Sequence, residues 1–166
     1  MPHPTLSPDH DLYETDFYAW TQDQAAKLRR LEEQAVNLDL DLPRLAEEVE
    51  DLGKAERDAV RSRVTRIIEH CLKLEYSPTT GPRLGWYDSI DDARAELADK
   101  LAASLRRDLR QSLPVLYERA RRKTGRTLRR YGERTAADAL PETCPYALAD
   151  LLRDGWYPKS RHGHEP

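Results

Sequence analysis

The chain has 166 residues and a mass of 19.2 kDa, so one compact domain is the first expectation. It contains 23 leucines and 18 alanines against 5 valines and 3 isoleucines, and its formal net charge is −3. Strands are rich in β-branched residues, so this composition argues against a sheet, and no apolar run approaches the ~20 residues that span a bilayer. We predict an all-α protein without a membrane span: a single compact, bundle-like domain of four to six helices around a long central helix.

Residues 1–11 are predicted to form a flexible arm, because the first ten contain three prolines and no helical period. They lack the charged and apolar regions of a signal peptide, which indicates a cytoplasmic protein. The helical domain is predicted over residues 12–158. Cys71 and Cys144 are far apart and have no partners at metal-ligand spacing, a pattern typical of buried thiols in a reducing compartment.

The first predicted helix begins at Thr15 or Asp16, where apolar residues start to recur at steps of three and four. It ends near Asn37. Pro43 fits the first turn of a second helix, the longest, whose predicted apolar stripe consists of Leu45, Val49, Leu52, Ala59, Ile67 and Leu74. Gly53 lies inside this second helix and costs about 1 kcal/mol relative to alanine. We therefore expect either a bend at Gly53 or a closely packed backbone.

The segment from Ser77 to Pro82 should end the second helix. A third helix is predicted from a cap at Asp88 or Ser89 through Leu105, and a fourth from Ser104 to Ala120. Pro114 would kink the fourth helix, so residues 105–134 are either one kinked helix or two, with a marginal helix over 127–137.

A last short helix is predicted with Pro145 at its first position, followed by a flexible polar tail over 159–166. The predicted core consists of Phe17, Trp20, Leu28, Val49, Leu52, Val64, Ile67, Leu97, Leu101 and Leu116.

Three segments resemble a known family when they are taken in order and at their spacing. They are Leu12-Tyr-Glu-Thr-Asp-Phe-Tyr-Ala-Trp20, Leu45-Ala-Glu-Glu-Val-Glu-Asp-Leu-Gly53 and Glu142-Thr-Cys-Pro-Tyr146. This combination is similar to the bacterial family called domain of unknown function 29, over roughly residues 12–158. The resemblance implies a single all-helical domain and no established activity. The arginine-rich stretch from Arg119 to Arg134 departs from the expected family pattern, because it is longer and more basic.

Carboxylates cluster near the start of the second predicted helix, where Glu47, Glu50, Asp51 and Lys54 are related by steps of three and four. Oxygen ligands of this kind suit Mg²⁺, Mn²⁺ or Ca²⁺, so Glu47, Glu48 and Asp51 with His70 form a candidate metal site. The interpretation we favour is a solvated acidic face beside the positive end of a helix dipole.

Glu56, Arg63 and His70 are seven residues apart on the otherwise apolar stripe of the second helix. Charged groups on such a face need a partner or access to water, which suggests a polar cleft. His70 would be an acid/base group or ligand there. The alternative that we favour is structural, with Arg63 paired to an acid on the first helix and His70 hydrogen-bonded in the core.

The chain is polarised in charge. Residues 1–60 carry 15 acidic and 6 basic residues, whereas residues 105–134 carry 11 basic and 3 acidic residues. The basic segment either faces an external polyanion or packs beside the acidic half of its own fold. The candidate residues for binding nucleic acid, without sequence preference, are Arg119, Arg121, Arg122, Lys123, Arg126, Arg129 and Arg130.

No glycine-rich phosphate loop or nucleophile–histidine pattern occurs, so no cofactor is expected and no residue is assigned a catalytic role. We predict a non-enzymatic helical interaction or regulatory module with a protein partner. A nucleic-acid-binding protein and a metal-dependent enzyme are the two alternatives.

Overall fold

The computed structural model describes residues 8–34 and 38–165, and all regular structure in those two ranges is helical. The helices are α1 (Pro8–Thr15), α2 (Phe17–Glu33), α3 (Leu42–Tyr76), α4 (Arg83–Ala98), α5 (Ala103–Arg130), α6 (Arg134–Asp138) and α7 (Leu148–Leu151). The prediction of an all-α fold with one long helix is confirmed, and α3 is that helix, with 35 residues. No helix in the described ranges has the length and apolar character needed to cross a membrane.

The chain divides into two compact units. The first contains Met1–Ala59 with Ala102–Arg107, and the second contains Val60–Leu101 with Asp108–Pro166. Helices α3 and α5 each contribute residues to both units. The single domain expected over 12–158 stays a prediction.

Helix α1 occupies residues that the sequence pattern assigned to the N-terminal arm. Of that predicted arm, residues 1–7 lie outside the described residues, and the rest are helical from Pro8 onward. Proline is compatible with a first helical turn, which is why its presence did not exclude a helix here. The ring of Tyr13 packs edge-on against Trp20, with 4.8 Å between ring centroids, and so attaches α1 to α2.

Asp16 joins the starts of two helices in the first unit. Its Oδ1 accepts a hydrogen bond from the backbone N–H of Ala19 at 3.1 Å and so caps α2. The same carboxylate accepts hydrogen bonds from the backbone N–H of Ser104 at 2.9 Å and from the Ser104 hydroxyl at 2.5 Å, in the first turn of α5. Since the first N–H groups of a helix have no partner within it, one buried carboxylate satisfies two helix ends.

The close approach expected at Gly53 is made by a side chain of α2. A Cβ atom placed on Gly53 would overlap with Oγ1 of Thr21 and lie 3.0 Å from its Cβ. Thr21 is fully buried, and its hydroxyl donates to the Tyr18 carbonyl at 2.7 Å. Glycine is therefore required by the packing of α2 on α3, one of the two explanations that the sequence left open.

The buried face of α3 differs from the predicted stripe in its first half. Leu42, Ala46 and Gly53 are buried, whereas Leu45 and Leu52 are 40% and 57% exposed. The assignment of Leu52 to the core was wrong because α2 packs against the neighbouring ridge of small residues. Of the other predicted core residues, Val64, Ile67, Leu97 and Leu116 are buried, and Phe17, Trp20, Leu28, Val49 and Leu101 are half-buried.

The second unit is built on the last part of α3, where eight apolar residues between Val60 and Tyr76 are buried. Arg61 forms a bidentate ion pair with Asp108 of α5 at 2.6 and 2.8 Å. Arg83, at the start of α4, is buried and donates to the Leu74 carbonyl at 3.1 Å, near the C-terminal end of α3. That contact stabilises the first turn of α4, which begins five residues before the predicted cap at Asp88.

Residues 105–130 belong to one helix, α5, and not to two. Pro114 lies inside this helix. It ends at Gly132, whose φ is +82°. The N–H of Glu133 donates to the Leu128 carbonyl at 2.8 Å and the N–H of Gly132 donates to the Arg129 carbonyl at 3.1 Å. This is a Schellman turn, in which glycine adopts the left-handed conformation without steric cost.

The segment after α6 packs against α4 through a buried arginine. Arg94 Nε donates to the Leu151 carbonyl at 3.0 Å and Nη2 donates to the Trp156 carbonyl at 2.7 Å. Helix α7 begins at Leu148, so the prediction that Pro145 starts it was wrong. Backbone carbonyls of the segment are thus held by a side chain from a distant helix, which local sequence does not reveal.

The C-terminal tail, predicted to be flexible over 159–166, is attached to the end of α3. The N–H of Arg161 donates to the Glu75 carbonyl at 2.9 Å, and its guanidinium lies 4.4 Å from the centroid of the Tyr76 ring. Nε2 of His162 lies 3.0 Å from the Tyr76 carbonyl oxygen. These polar residues bond to carbonyl groups that have no partner within the helix end. The flexibility of the tail stays a prediction.

We predict that Gly53→Ala destabilises the protein by about 1–3 kcal/mol, because the added methyl group overlaps with Thr21. Gly85→Ala is the matched control, since Gly85 is also helical but has open space around it, and there we expect a gain of about 0.5–1 kcal/mol. Denaturant unfolding measures both changes. The destabilisation should shrink when Gly53→Ala is combined with Thr21→Ala, and an equal destabilisation with or without Thr21→Ala would contradict the proposed overlap.

Candidate functional site

The acidic residues proposed as metal ligands do not converge. Glu47 and Glu48 are exposed, and Asp51 is exposed and pairs with Lys54 at 3.1 Å. His70 belongs to the second unit, whereas the three acids belong to the first. Within residues 8–34 and 38–165, no group of three or more His, Cys, Asp or Glu side chains is placed to hold a metal ion. The arrangement is that of a solvated acidic helix face.

Glu50, on the same helix turn, has a structural partner. Its carboxylate accepts a hydrogen bond from Arg29 of α2 at 2.5 Å and lies 3.7 Å from Lys54 Nζ. The hydrogen bond from Arg29 lowers the pKa of Glu50, and the charges of Arg29 and Lys54 add to that effect. This exposed network links α2 to α3.

The three residues proposed for a polar cleft are separated as well. Glu56 lies in the first unit and is half-buried, whereas Arg63 and His70 lie in the second. Arg63 forms an ion pair with Glu96 of α4, where we had expected an acid of the first predicted helix. That prediction was wrong because α4 is the neighbour of α3 at this level.

His70 lies in an apolar and cationic environment. It is half-buried, its Nδ1 is buried without a hydrogen-bond partner, and burial lowers its pKa from 6.5 to about 4. The positive charges of Lys73, Arg66 and Lys123 lower the pKa further. A neutral imidazole lacks the carboxylate partner that an acid/base role needs. Its Nδ1, without a partner among the described residues, differs from the hydrogen-bonded core histidine of the structural interpretation.

The two cysteines are free, as predicted. Cys71 is fully buried and burial raises the pKa of its thiol to about 12, while Cys144 is half-buried with a raised pKa. Thiols with raised pKa values are poor nucleophiles at neutral pH.

The basic segment forms an arginine face on α5, which we define as Arg119, Arg122, Arg126 and Arg130. These residues recur at steps of three and four, so they share one side of the helix, and all four are exposed. Arg122 pairs with Glu118 at 2.6 Å, and no ion pair joins the other three to a described residue. Three guanidinium groups are therefore available to an external anion.

The other three predicted residues of the basic segment each lie beside an acidic side chain, which for Arg121 is Glu118 at 3.5 Å. Lys123 pairs with Glu69 of α3 at 2.9 Å and Arg129 pairs with Asp138 of α6 at 2.7 Å. Arg121 is at the flank, and its Nε is buried without a hydrogen-bond partner. A groove of about 290 Å³ follows this flank and is lined by Arg121, Arg122, Gly125, Arg126, Arg129, Ala137 and Leu140.

The first unit carries a partly exposed apolar strip that the sequence pattern did not predict. The α3 apolar strip, defined as Leu45, Val49 and Leu52, occupies one side of α3 at steps of four and three. Glu48 and Glu56 border it in the adjacent helical positions. The strip had been assigned to the core because periodicity does not say which of two neighbouring ridges is covered.

A second missed feature is a cavity of about 450 Å³ in the second unit. Aromatic side chains Trp86 and Tyr131 line it together with Lys73 and Glu133. These four residues come from α3, α4 and the turn after α5, so no local motif announces them.

We predict that NMR titration of His70 gives a pKa near 4. Because this value lies below that of the unfolded chain, the unfolded state binds the proton first as the pH falls. The contribution of neutral His70 to the free energy of unfolding is thus complete above about pH 6.5 and is lost as the pH decreases toward 4. His70→Leu should remove this part of the pH dependence and His164→Gln should keep it, whereas a pKa at or above 6.5 would contradict the structural interpretation.

Comparison with known proteins places the chain in a family. Among curated proteins, none matches it. The chain is similar to an alpha-helical protein of unknown function from Rhodospirillum rubrum, whose crystal structure was determined at 1.45 Å resolution. The two structures have a TM-score of 0.76 and the sequences are 26% identical. The match covers 87% of this chain and 90% of that chain. The model of the family "Domain of unknown function DUF29" matches residues 12–157. The chain therefore belongs to the DUF29 family.

Proposed function

We propose that the protein is a non-enzymatic interaction module that binds an amphipathic, basic helix of a partner protein through the α3 apolar strip. The observation that carries this proposal is the exposure of Leu52. Its side chain is 57% exposed although the residue lies well inside a long helix. Leu45, two turns earlier on the same side, is 40% exposed. Apolar side chains aligned in this way form a continuous surface whose burial is favourable.

The charge around the strip supports a basic partner. Glu47, Glu48 and Asp51 are exposed on the same part of α3, and residues 1–60 carry nine more acidic than basic residues. An amphipathic helix with leucines on one side and lysines or arginines beside them would bury the strip and pair with these carboxylates. A symmetric contact between the strips of two copies of this chain would instead place like charges beside each other.

The first experiment measures binding of a synthetic helical peptide with leucine at heptad spacing and lysine on both flanks, by fluorescence anisotropy. Leu52→Lys should weaken binding by about tenfold or more, since a charge replaces an apolar contact. Leu84→Lys is the matched control, because Leu84 is an isolated leucine of α4 with 76% exposure, and it should bind like the unmodified chain.

Three outcomes would contradict the proposal. The peptide does not bind, or it binds equally to Leu52→Lys, or sedimentation reveals a dimer of the chain that Leu52→Lys dissociates. The last result would assign the strip to self-association. Neither variant should change the free energy of unfolding by more than about 0.5 kcal/mol, because both positions are on the surface.

The arginine face of α5 favours nucleic-acid binding as a second candidate function. Arg119, Arg126 and Arg130 are exposed without an ion pair to a described residue, and guanidinium groups suit phosphates. A row of cations along a helix binds the phosphate backbone without sequence preference.

Affinity for a generic single-stranded RNA should decrease steeply with salt if the arginine face binds phosphates. Arg126→Ala combined with Arg130→Ala should reduce the slope of log K against log salt by about one for each phosphate that the variant no longer neutralises. Arg153→Ala is the control, since Arg153 is exposed but lies outside the face. Absence of retention on RNA at low salt, or an unchanged slope in the double variant, would refute this function.

A further inference from the structure

We infer that the cavity between Trp86 and Tyr131 is a binding site for a purine nucleobase. The cavity measures about 450 Å³ and lies where the end of α3, the start of α4 and the end of α5 meet within the second unit. Its size falls in the range of small-molecule sites. The inference does not depend on the α3 apolar strip.

The rim of the cavity is held in place by the turn that ends α5. The Schellman hydrogen bonds of Gly132 and Glu133 hold Tyr131 and Glu133 on either side of the left-handed glycine. Tyr131 is 76% exposed at this rim, so its ring is accessible to a ligand in the cavity. Trp86, in the first turn of α4, is half-buried, and its backbone N–H donates to the Pro82 carbonyl at 3.2 Å.

Glu133 has an unused hydrogen-bond acceptor. Its Oε1 accepts a hydrogen bond from the Thr79 hydroxyl at 2.6 Å, which fixes the carboxylate. Glu133 lines the cavity, and its Oε2 is buried without a hydrogen-bond partner among the described residues. A buried carboxylate oxygen without a donor is costly, so a ligand that donates an N–H to it gains affinity from a group the protein leaves unsatisfied.

Lys73 supplies a donor in the same cavity. It is half-buried, and no hydrogen bond or ion pair joins it to another described residue. Burial lowers the pKa of Lys73, and the charge of Lys123 lowers it further. The charge of Glu69 raises the pKa but does not offset the effect of burial on the ammonium group. The cavity thus offers one acceptor and one donor beside two aromatic rings.

A purine base matches this combination of groups. Its flat ring stacks on aromatic side chains, and its edge carries N–H donors next to nitrogen or carbonyl acceptors. The donor would bond to Glu133 and the acceptor to Lys73. An aliphatic ligand would leave the stacking surfaces unused, and a simple anion would be repelled by Glu133.

The experiment measures binding of adenosine and guanosine 5′-monophosphate to the full chain by calorimetry, with ribose 5-phosphate as the base-free probe. We expect the nucleotides to bind about tenfold or more tightly than ribose 5-phosphate. Tyr131→Leu should weaken nucleotide binding by about tenfold, and its exposed position leaves the core intact. Glu133→Gln should weaken it similarly, because an amide donor then replaces the free acceptor and Thr79 keeps its bond.

Two control variants match these changes. Glu142→Gln removes an exposed carboxylate elsewhere in the second unit, and Tyr13→Leu removes a partly exposed tyrosine of the first unit. Both should bind nucleotide like the unmodified chain. Equal affinity for nucleotide and ribose 5-phosphate, or nucleotide binding unchanged in Tyr131→Leu and Glu133→Gln, would overturn the inference.

A second set of binding measurements, with a short adenine-rich oligonucleotide and its abasic counterpart, tells whether the cavity binds a base within a strand or a free nucleotide. If the site takes an unpaired base of a strand, the oligonucleotide binds more tightly than the mononucleotide and no longer does so when abasic. If it takes a free nucleotide, the mononucleotide binds at least as tightly. The Arg126→Ala, Arg130→Ala double variant separates the two proposals, because removing its guanidinium groups weakens binding of the oligonucleotide but leaves binding of adenosine 5′-monophosphate unchanged.

Discussion

Burial of the last half of α3 is the constraint on which the second unit depends. Val64, Ile67, Ile68, Cys71 and Leu72 are all fully buried, and at about 100° per residue their positions span about 140° of the helix circumference. Leu74 and Tyr76 are buried beyond the two edges of this arc, so more than one neighbouring segment has to cover this half of α3. The ion pair from α3 to Asp108 and the arginine contacts at its C-terminal end then fix the neighbouring segments in place.

Within residues 8–34 and 38–165, α2 covers one side of the first half of the same helix. Gly53 and Ala46 allow α2 to approach closely, and Arg29 and Glu50 pair beside that contact. The leucines on the adjacent ridge remain exposed. One continuous helix therefore serves as core in the second unit and as a surface in the first, and the proposed partner helix would bind at that surface.

The candidate surfaces differ in charge and therefore in the partners that they suit. The α3 apolar strip has carboxylates beside it, while the arginine face of α5 and the adjoining groove carry guanidinium groups with few acids. Cationic and anionic partners are thus directed to different parts of the chain. The cavity at Trp86 and Tyr131 differs from both because it combines aromatic surface with an unsatisfied acceptor, which suits a small planar ligand.

Sequence alone determined the helical class, the long helix, the start of α2 near Asp16 and the free cysteines, because each depends on local composition or on helical period. Tertiary structure decided which ridge of α3 is buried, since Leu45 and Leu42 fit the period equally well and only the position of α2 separates them. It also decided the partners of Arg63, Arg94 and Arg161, which lie far away along the chain. The cavity could not be predicted for the same reason: its lining residues run from Lys73 to Glu133, and only packing brings them together.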